Sequence, residues 1–243
     1  ARIDIAREEA CRLLAGDFAV RRFDANGLAL GGFETIEPPG PLAVGADGRI
    51  YAASGGRIRV FDPNGAQLAR WHDPGRGALL TSLAVTDERL FAADAGFRVV
   101  RQYELDGNAV NLIGRRDPEA GIPGFVIPSP YFDLAMAPDG LLRVTNPGRH
   151  VIEAYTPRGH LELSWGRPGS SAETFCGCCN PSNFALLPGG EGFGDFGGFV
   201  TAEKGLTRVK LYSPDGEFGG LIAGPEAFKR HDELVATRDG PWL

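Results

Sequence analysis

Two kinds of short β-ribbon alternate along this chain, and that alternation limits its fold more than any other feature. The first phrase is a run of β-branched or aromatic residues, a turn ending in glycine, and a second apolar run. It occurs at 19–33 (AVRRFDANGLALGGF), 57–71 (RIRVFDPNGAQLARW), 98–113, 150–165 and 208–222. The second phrase reads strand, Asp-Gly-type turn, strand, and lies between copies of the first, at 41–54 (PLAVGADGRIYAAS), 82–95, 133–146, 183–203 and 233–243. Each copy is a hairpin. Apolar and polar residues alternate, and the turns close on pairs such as Asn64-Gly65 and Asp215-Gly216, where glycine accepts the positive φ of a tight turn. Pro63, Pro157 and Pro214 stand at turn starts, where their fixed φ is already correct.

The turn glycines of the first phrase, Gly27, Gly65, Gly107, Gly159 and Gly216, are 38, 42, 52 and 57 residues apart. A four-stranded antiparallel unit repeated every ~40 residues is the sequence pattern of a β-propeller blade. The expected fold is therefore all-β, with residues 1–243 as one propeller. A β-sandwich or a lipocalin-like barrel would not require two hairpin phrases in phase over the whole length. The glycine content, 35 of 243 residues, serves the turns. The one helical candidate is 5–14, where REEACRLL has room for two turns. Neither end holds a whole blade: 233–243 supplies inner strands, and 1–35 supplies outer strands with at best a shortened inner hairpin. Pairing of the two ends is expected to close the ring and remove exposed sheet edges.

The phrases LAVGADGRIYAA, LAMAPDGLLRVTNPGRHVIEAY and FVTAEKGLTRVKLYSPDGEF resemble bacterial NHL-repeat propellers, in particular an uncharacterised extracytoplasmic group with a block similar to FCGCCNPSNFALLP (175–188). The resemblance covers nearly the whole chain. It implies six blades, with 2–6 as the outer strand of the last; counting complete hairpin pairs gives five. It also implies a periplasmic or extracellular location and work beside redox proteins. The chain opens without a charged stretch followed by an apolar one, so an export signal is expected to have been removed or to lie outside this chain.

In an up-and-down blade with strands a to d, the a–b and c–d turns share one face and the b–c and d–a connections share the other. The Asp-Gly and Asn-Gly turns all belong to the first face. The longer, chemically varied segments belong to the second: the d–a segments 72–80, 114–130, 167–181 and 225–232, and the b–c corners 54–56, 94–97, 146–150 and 203–206. Binding residues concentrate on such loops. His72, His150 and His231 fall on this loop-rich face, as do three of the four cysteines, while His160 falls on the plain one.

Cys176, Cys178 and Cys179 sit within four residues, with Cys11 distant in sequence. Three readings are open. Cys178 and Cys179 could form a vicinal disulfide, or Cys176 could pair with one of them or with Cys11. The thiolates, with His150 or His231 on the same face, could hold Cu(I) or Zn(II), although the spacing is not that of a zinc ribbon. The cysteines could also simply tighten a loop. Asn180-Pro181 then turns the chain into the next inner strand, placing the block at the mouth of the ring.

Asn146, Arg149 and His150 in TNPGRH occupy the same corner as Glu203 and Lys204 one blade later and Asp94 one blade earlier. These residues could converge on a ligand carboxylate or a partner loop, or could make corner hydrogen bonds only. Asp94 with Glu203 is a sparse set for Ca²⁺. Tyr131, Phe132, Trp165 and Trp242 read as wedges between blades.

The net charge of −6 and pI of about 5.3 argue against nucleic acid or anionic lipid as partner. No apolar run approaches the roughly 20 residues of a membrane-spanning helix. The Gly-x-Ser-x-Gly elbow, Walker loop and HExxH motif do not occur. The expected function is a non-catalytic binding or scaffold propeller that docks a protein partner or small ligand near 176–181. The alternatives are a metal-dependent lyase or lactonase, for which Asp133, Asn183 and Glu233 are the candidates at inner-strand starts, and a copper-handling or thiol-redox protein.

Overall fold

The computed structural model describes residues 2–5, 12–24, 26–72, 74–119, 121–190 and 194–228. Each pair of sequence hairpins folds into one four-stranded antiparallel sheet whose strands follow in chain order. The first blade is β1 (Arg2–Ile5), β2 (Arg12–Gly16), β3 (Ala19–Phe23) and β4 (Ala29–Glu34). The second is β5 (Leu42–Val44), β6 (Ile50–Ser54), β7 (Arg57–Phe61) and β8 (Gln67–Arg70). The third is β9 (Leu80–Val85), β10 (Arg89–Asp94), β11 (Val99–Glu104) and β12 (Ala109–Ile113). The fourth is β13 (Leu134–Met136), β14 (Leu142–Asn146), β15 (Val151–Tyr155) and β16 (Leu161–Trp165). The fifth is β17 (Asn183–Gly190), β18 (Gly194–Glu203), β19 (Arg208–Tyr212) and β20 (Phe218–Ala223).

Among the described residues there are thus five blades, not the six implied by the resemblance. The segment expected to be the outer strand of a last blade instead pairs within the first, Arg2 opposite Ala15 and Ile5 opposite Arg12. That pairing also replaces the C-terminal part of the two-turn helix candidate by strand. Backbone hydrogen bonding to β3 on the other side of β2 outweighs the weak helical signal of a segment this short. The expected ring closure through 233–243 and the candidates Glu233, His231 and Trp242 lie outside the described residues, as does Cys11.

Successive inner strands face one another, β5 against β9, β9 against β13 and β13 against β17. A buried carboxylate ties three of them at the centre. Asp133, at the start of the fourth blade, accepts hydrogen bonds from the Ser82 hydroxyl of β9 (2.7 Å) and the Phe184 N–H of β17 (3.1 Å), with the Asn183 amide at 3.4 Å. Between blades, an aromatic closing one outer strand packs on the c–d turn of the next. Trp71 lies between Tyr51 (5.7 Å) and Tyr103 (5.5 Å), and a Cβ on Gly107 would fall 2.6 Å from the indole. Trp165 packs against Phe199, Tyr212 and Phe175, and a Cβ on Gly216 would fall 2.4 Å from its ring. These turn glycines are required twice over, by positive φ and by the ring beneath them. Deleting such a wedge costs about 3–5 kcal/mol. Phe132 is buried in the same way; Tyr131, also expected to be a wedge, is 42% exposed.

Candidate functional site

Every d–a connection must cross the rim with its backbone polar groups satisfied, and the third, fourth and fifth blades solve this with the last residue of their second strand. In the third blade, Asp94 is fully buried. Its carboxylate accepts from the Leu79 N–H of the incoming segment and the Phe97 N–H of its own corner (3.1 Å each), and from the Arg101 guanidinium (2.7 Å). In the fourth blade Asn146, also fully buried, accepts from the Val126 N–H (2.9 Å) and donates to the Gly124 carbonyl (3.2 Å) and to Glu153 (3.2 Å). Glu153 receives the Tyr155 hydroxyl at 2.8 Å, and Arg149 lies at 3.7 Å. Burial pushes the Glu153 carboxyl up, and the hydrogen bonds from Tyr155 and Asn146 offset this only in part.

The fifth blade carries the strongest version. Glu203 accepts from the Cys176 N–H (2.8 Å) and pairs with Arg208 and, at 3.5 Å, Lys210. All three side chains are almost wholly buried. The two cations then hold the long connection 166–182 from inside. Arg208 donates to the carbonyls of Ser170, Ser171 and Thr174, Lys210 donates to the Thr174 carbonyl (2.8 Å), and the Tyr212 hydroxyl donates to that of Glu173 (3.1 Å). Burial lowers the Lys210 ammonium to about 8, with Glu203 opposing and Arg208 adding to the shift. Lys210 also lies over the Phe175 ring at 4.3 Å.

On this support sits the cysteine block. Asn180, 1% exposed, acts as a stand-in for a peptide group: its side-chain carbonyl accepts the Lys204 N–H (2.9 Å), and its amide donates to the Lys204 carbonyl (3.0 Å) and to the Cys176 carbonyl. The Asn180-Pro181 bond is cis. From the neighbouring blade, the His150 ring donates through Nε2 to the Gly177 carbonyl at 2.6 Å. The sulfur-rich stretch and His150 therefore share one rim, bridging the fourth and fifth blades. The described cysteines are free thiols; Cys178 is exposed, Cys176 half-buried and Cys179 buried, with Cys178 and Cys179 Sγ 2.8 Å apart. Lys204 Nζ reaches across to the Ser129 hydroxyl (2.7 Å) and lies over the Tyr131 ring (4.2 Å). Burial would raise the Cys179 thiol, but hydrogen bonds from Cys178, Ser129 and Lys204, with the Lys204 charge, hold it below the ordinary value. Cys178 moves the other way, pushed up chiefly by its contact with Cys179.

No protein-family model and no curated protein matches the sequence. Solved structures match by shape. A catalytically inactive virginiamycin B lyase from Staphylococcus aureus aligns over 93% of this chain and 70% of its own, with a TM-score of 0.62 and 14% identity. A streptogramin B lyase aligns over 90% and 67%, with a TM-score of 0.60 and 15% identity. A protein of unknown function from Bacteroides caccae aligns over 92% and 81%, with a TM-score of 0.62 and 12% identity. The fold is that of a β-propeller. At such identities the likeness concerns architecture alone.

Within this propeller the sequence-derived residues separate into two groups. Cys176, Cys178, Cys179, Asn180, Glu203, Lys204 and His150 come together around one loop. Asp94 stays within the third blade, Asn146 serves the connection 114–133 and Arg149 faces Glu153 of its own blade, so these do not meet the cysteines. Asp94, Asn146 and Glu203 are pegs for loop backbone, the corner role left open by the sequence. Asp94 and Glu203 each answer to an arginine in their own blade. Among the described residues, no three His, Cys, Asp or Glu side chains gather as a metal site. Ser129 and Tyr131, not singled out as site residues, complete the surroundings of Lys204. Arg208 and Lys210 were also overlooked, although alternation in RVKLY puts Arg208, Lys210 and Tyr212 on one face, with Arg208 opposite Glu203. Two open clefts, of about 350 and 750 Å³, lie away from this block, beside Thr86 and Met136 and beside Arg116 and His160.

Proposed function

We propose that this chain is a binding propeller of an extracytoplasmic compartment, with the loop-rich face around 176–181 as its docking surface for a protein partner. The observation that carries this reading is the built support beneath the loops of one face, which also display the apolar side chains of Leu79, Phe97, Val126, Tyr131 and Leu206 at 40–47% exposure. Other exposed apolar groups, such as Leu68, Val110 and Ile222, lie on outer strands. These loops are held before binding: Asp94 fixes the backbone of Leu79 and Phe97, Asn146 that of Val126, and the buried Glu203–Arg208–Lys210 cluster and the Asn180 clamp hold 166–182, so little ordering entropy is lost on docking. Tyr131, held under Lys204, offers a rigid ring of the kind enriched at binding hot spots.

Photocrosslinking tests this reading. With p-benzoylphenylalanine in place of Tyr131, irradiation of the cells that make the protein is expected to yield a discrete covalent adduct. The same group in place of Asp87, in a plain-face turn, is expected to yield none. Equal labelling from both positions, or none from position 131, would rule out the loop-rich face as the docking surface.

A further inference from the structure

Cys178 and Cys179 differ in a way that a loop staple does not need. The two sulfurs are in contact at 2.8 Å, yet one is open to solvent and the other is 2% exposed beneath it. Lys204 is clamped through its backbone to Asn180, the residue after the buried Cys179, and the Lys204 charge and the Ser129 hydroxyl hold the Cys179 thiol below its ordinary value. Among the described residues no carboxylate pairs with Lys204; its ammonium meets the Ser129 hydroxyl and the Tyr131 ring. Its positive charge is therefore available to a thiolate at Cys179. The backbone on both sides is fixed, by Asn180 to Lys204 and by His150 to Gly177, so the pair is presented in one arrangement.

We propose that Cys178 and Cys179 are a dithiol–disulfide exchange site whose substrate is a second dithiol. In the oxidised form the two residues share a vicinal disulfide. A thiolate of the incoming dithiol attacks the exposed Cys178 Sγ, the Cys178–Cys179 bond breaks, and its electron pair leaves on Cys179, where Lys204 and Ser129 stabilise the new thiolate. The second thiol of the substrate, after losing its proton, attacks its own sulfur in the mixed disulfide and expels Cys178, which takes up a proton. The substrate ends as a disulfide, having given up two electrons and two protons; one proton resides on Cys178 and the other goes to solvent. A disulfide of the same class reverses the sequence and restores the oxidised pair. Exposure decides which sulfur is attacked, and Lys204 decides which one leaves.

This inference is independent of the docking surface, because a small dithiol suffices to test it. The full chain is oxidised with diamide, a two-electron acceptor, excess reagent is removed, and the product is mapped by peptide mass analysis. A loss of two hydrogens within the peptide carrying Cys178 and Cys179, restored by dithiothreitol, is expected. The rate of that reduction is then followed for the wild-type chain, Lys204→Met and Lys204→Arg. Removing the charge from the leaving thiolate is expected to slow reduction about 3- to 10-fold, and Lys204→Arg to stay within about 2-fold of wild type. Far-UV circular dichroism verifies that the blades survive in both variants. The proposal is overturned if the two cysteines lose no hydrogens, if the bridge maps to Cys176, or if folded Lys204→Met is reduced as fast as the wild-type chain. Failure of crosslinking at position 131 would leave these outcomes unchanged.

Discussion

The third and fifth blades put a carboxylate at the same place, the last residue of the second strand, and use it on different scales. Asp94 catches a short connection with one arginine as partner, and that arginine retains some contact with water. Glu203 anchors the longer stretch that carries the cysteines, and its two cations are sealed in, spending their hydrogens on the carbonyls of residues 170–174. The fourth blade takes an intermediate course with neutral Asn146, moving the carboxylate to Glu153 on the third strand. Loop length does not set the difference, since 114–133 is longer than 166–182; the number of loop carbonyls turned onto the strands beneath does, and buried carbonyls need donors that those strands supply.

This comparison can be broken most severely at Glu203. Glu203→Ala strands Arg208 and Lys210 as buried charges without their counter-ion, and denaturant unfolding is expected to show a loss of about 3–5 kcal/mol. Asn146→Ala leaves the Val126 N–H and Gly124 carbonyl unpaired without orphaning a cation, so the expected loss is about 1–3 kcal/mol. If the neutral peg proved the more costly to remove, the charge-based account of the fifth blade would be wrong.

A further test concerns pH. Burial sets Lys210 at about 8 against an ordinary 10.5, so between these values the unfolded chain binds more protons than the native one. Stability contributed through Lys210 accordingly rises as pH climbs from about 8 to 10.5, and below about 8 the buried ammonium is a constant cost. Lys210→Met should therefore show a flatter dependence of unfolding free energy on pH across that window than the wild-type chain. Parallel profiles for the two proteins would mean that Lys210 titrates as an ordinary lysine.

The fold was legible because its signals are local. Hairpin turns need glycine at positive φ, and alternation needs only neighbouring residues, so four of the five blades could be written from phrases such as RIRVFDPNGAQLARW. The first was misjudged because RIDI and RLLAG are short and carry no turn signal between them; only the pairing of Arg2 with Ala15 shows where they belong. The two faces were also legible, since strand order alone puts 146–150 and 167–181 on one rim. Residue roles were not. Asp94, Asn146 and Glu203 looked alike as ligand candidates, and burial made all three into backbone pegs. Tyr131 looked like a wedge, and exposure beneath Lys204 gave it to the surface instead.

The sequence by itself determined the repeated four-stranded unit, the order of the strands and the side of the wheel on which the cysteines stand, because each follows from contacts within a few tens of residues. Tertiary structure decided which polar groups are consumed and which remain available. That outcome depends on distances between segments as far apart as Ser129 and Lys204, and on a burial that no single stretch of chain can impose on its own charges.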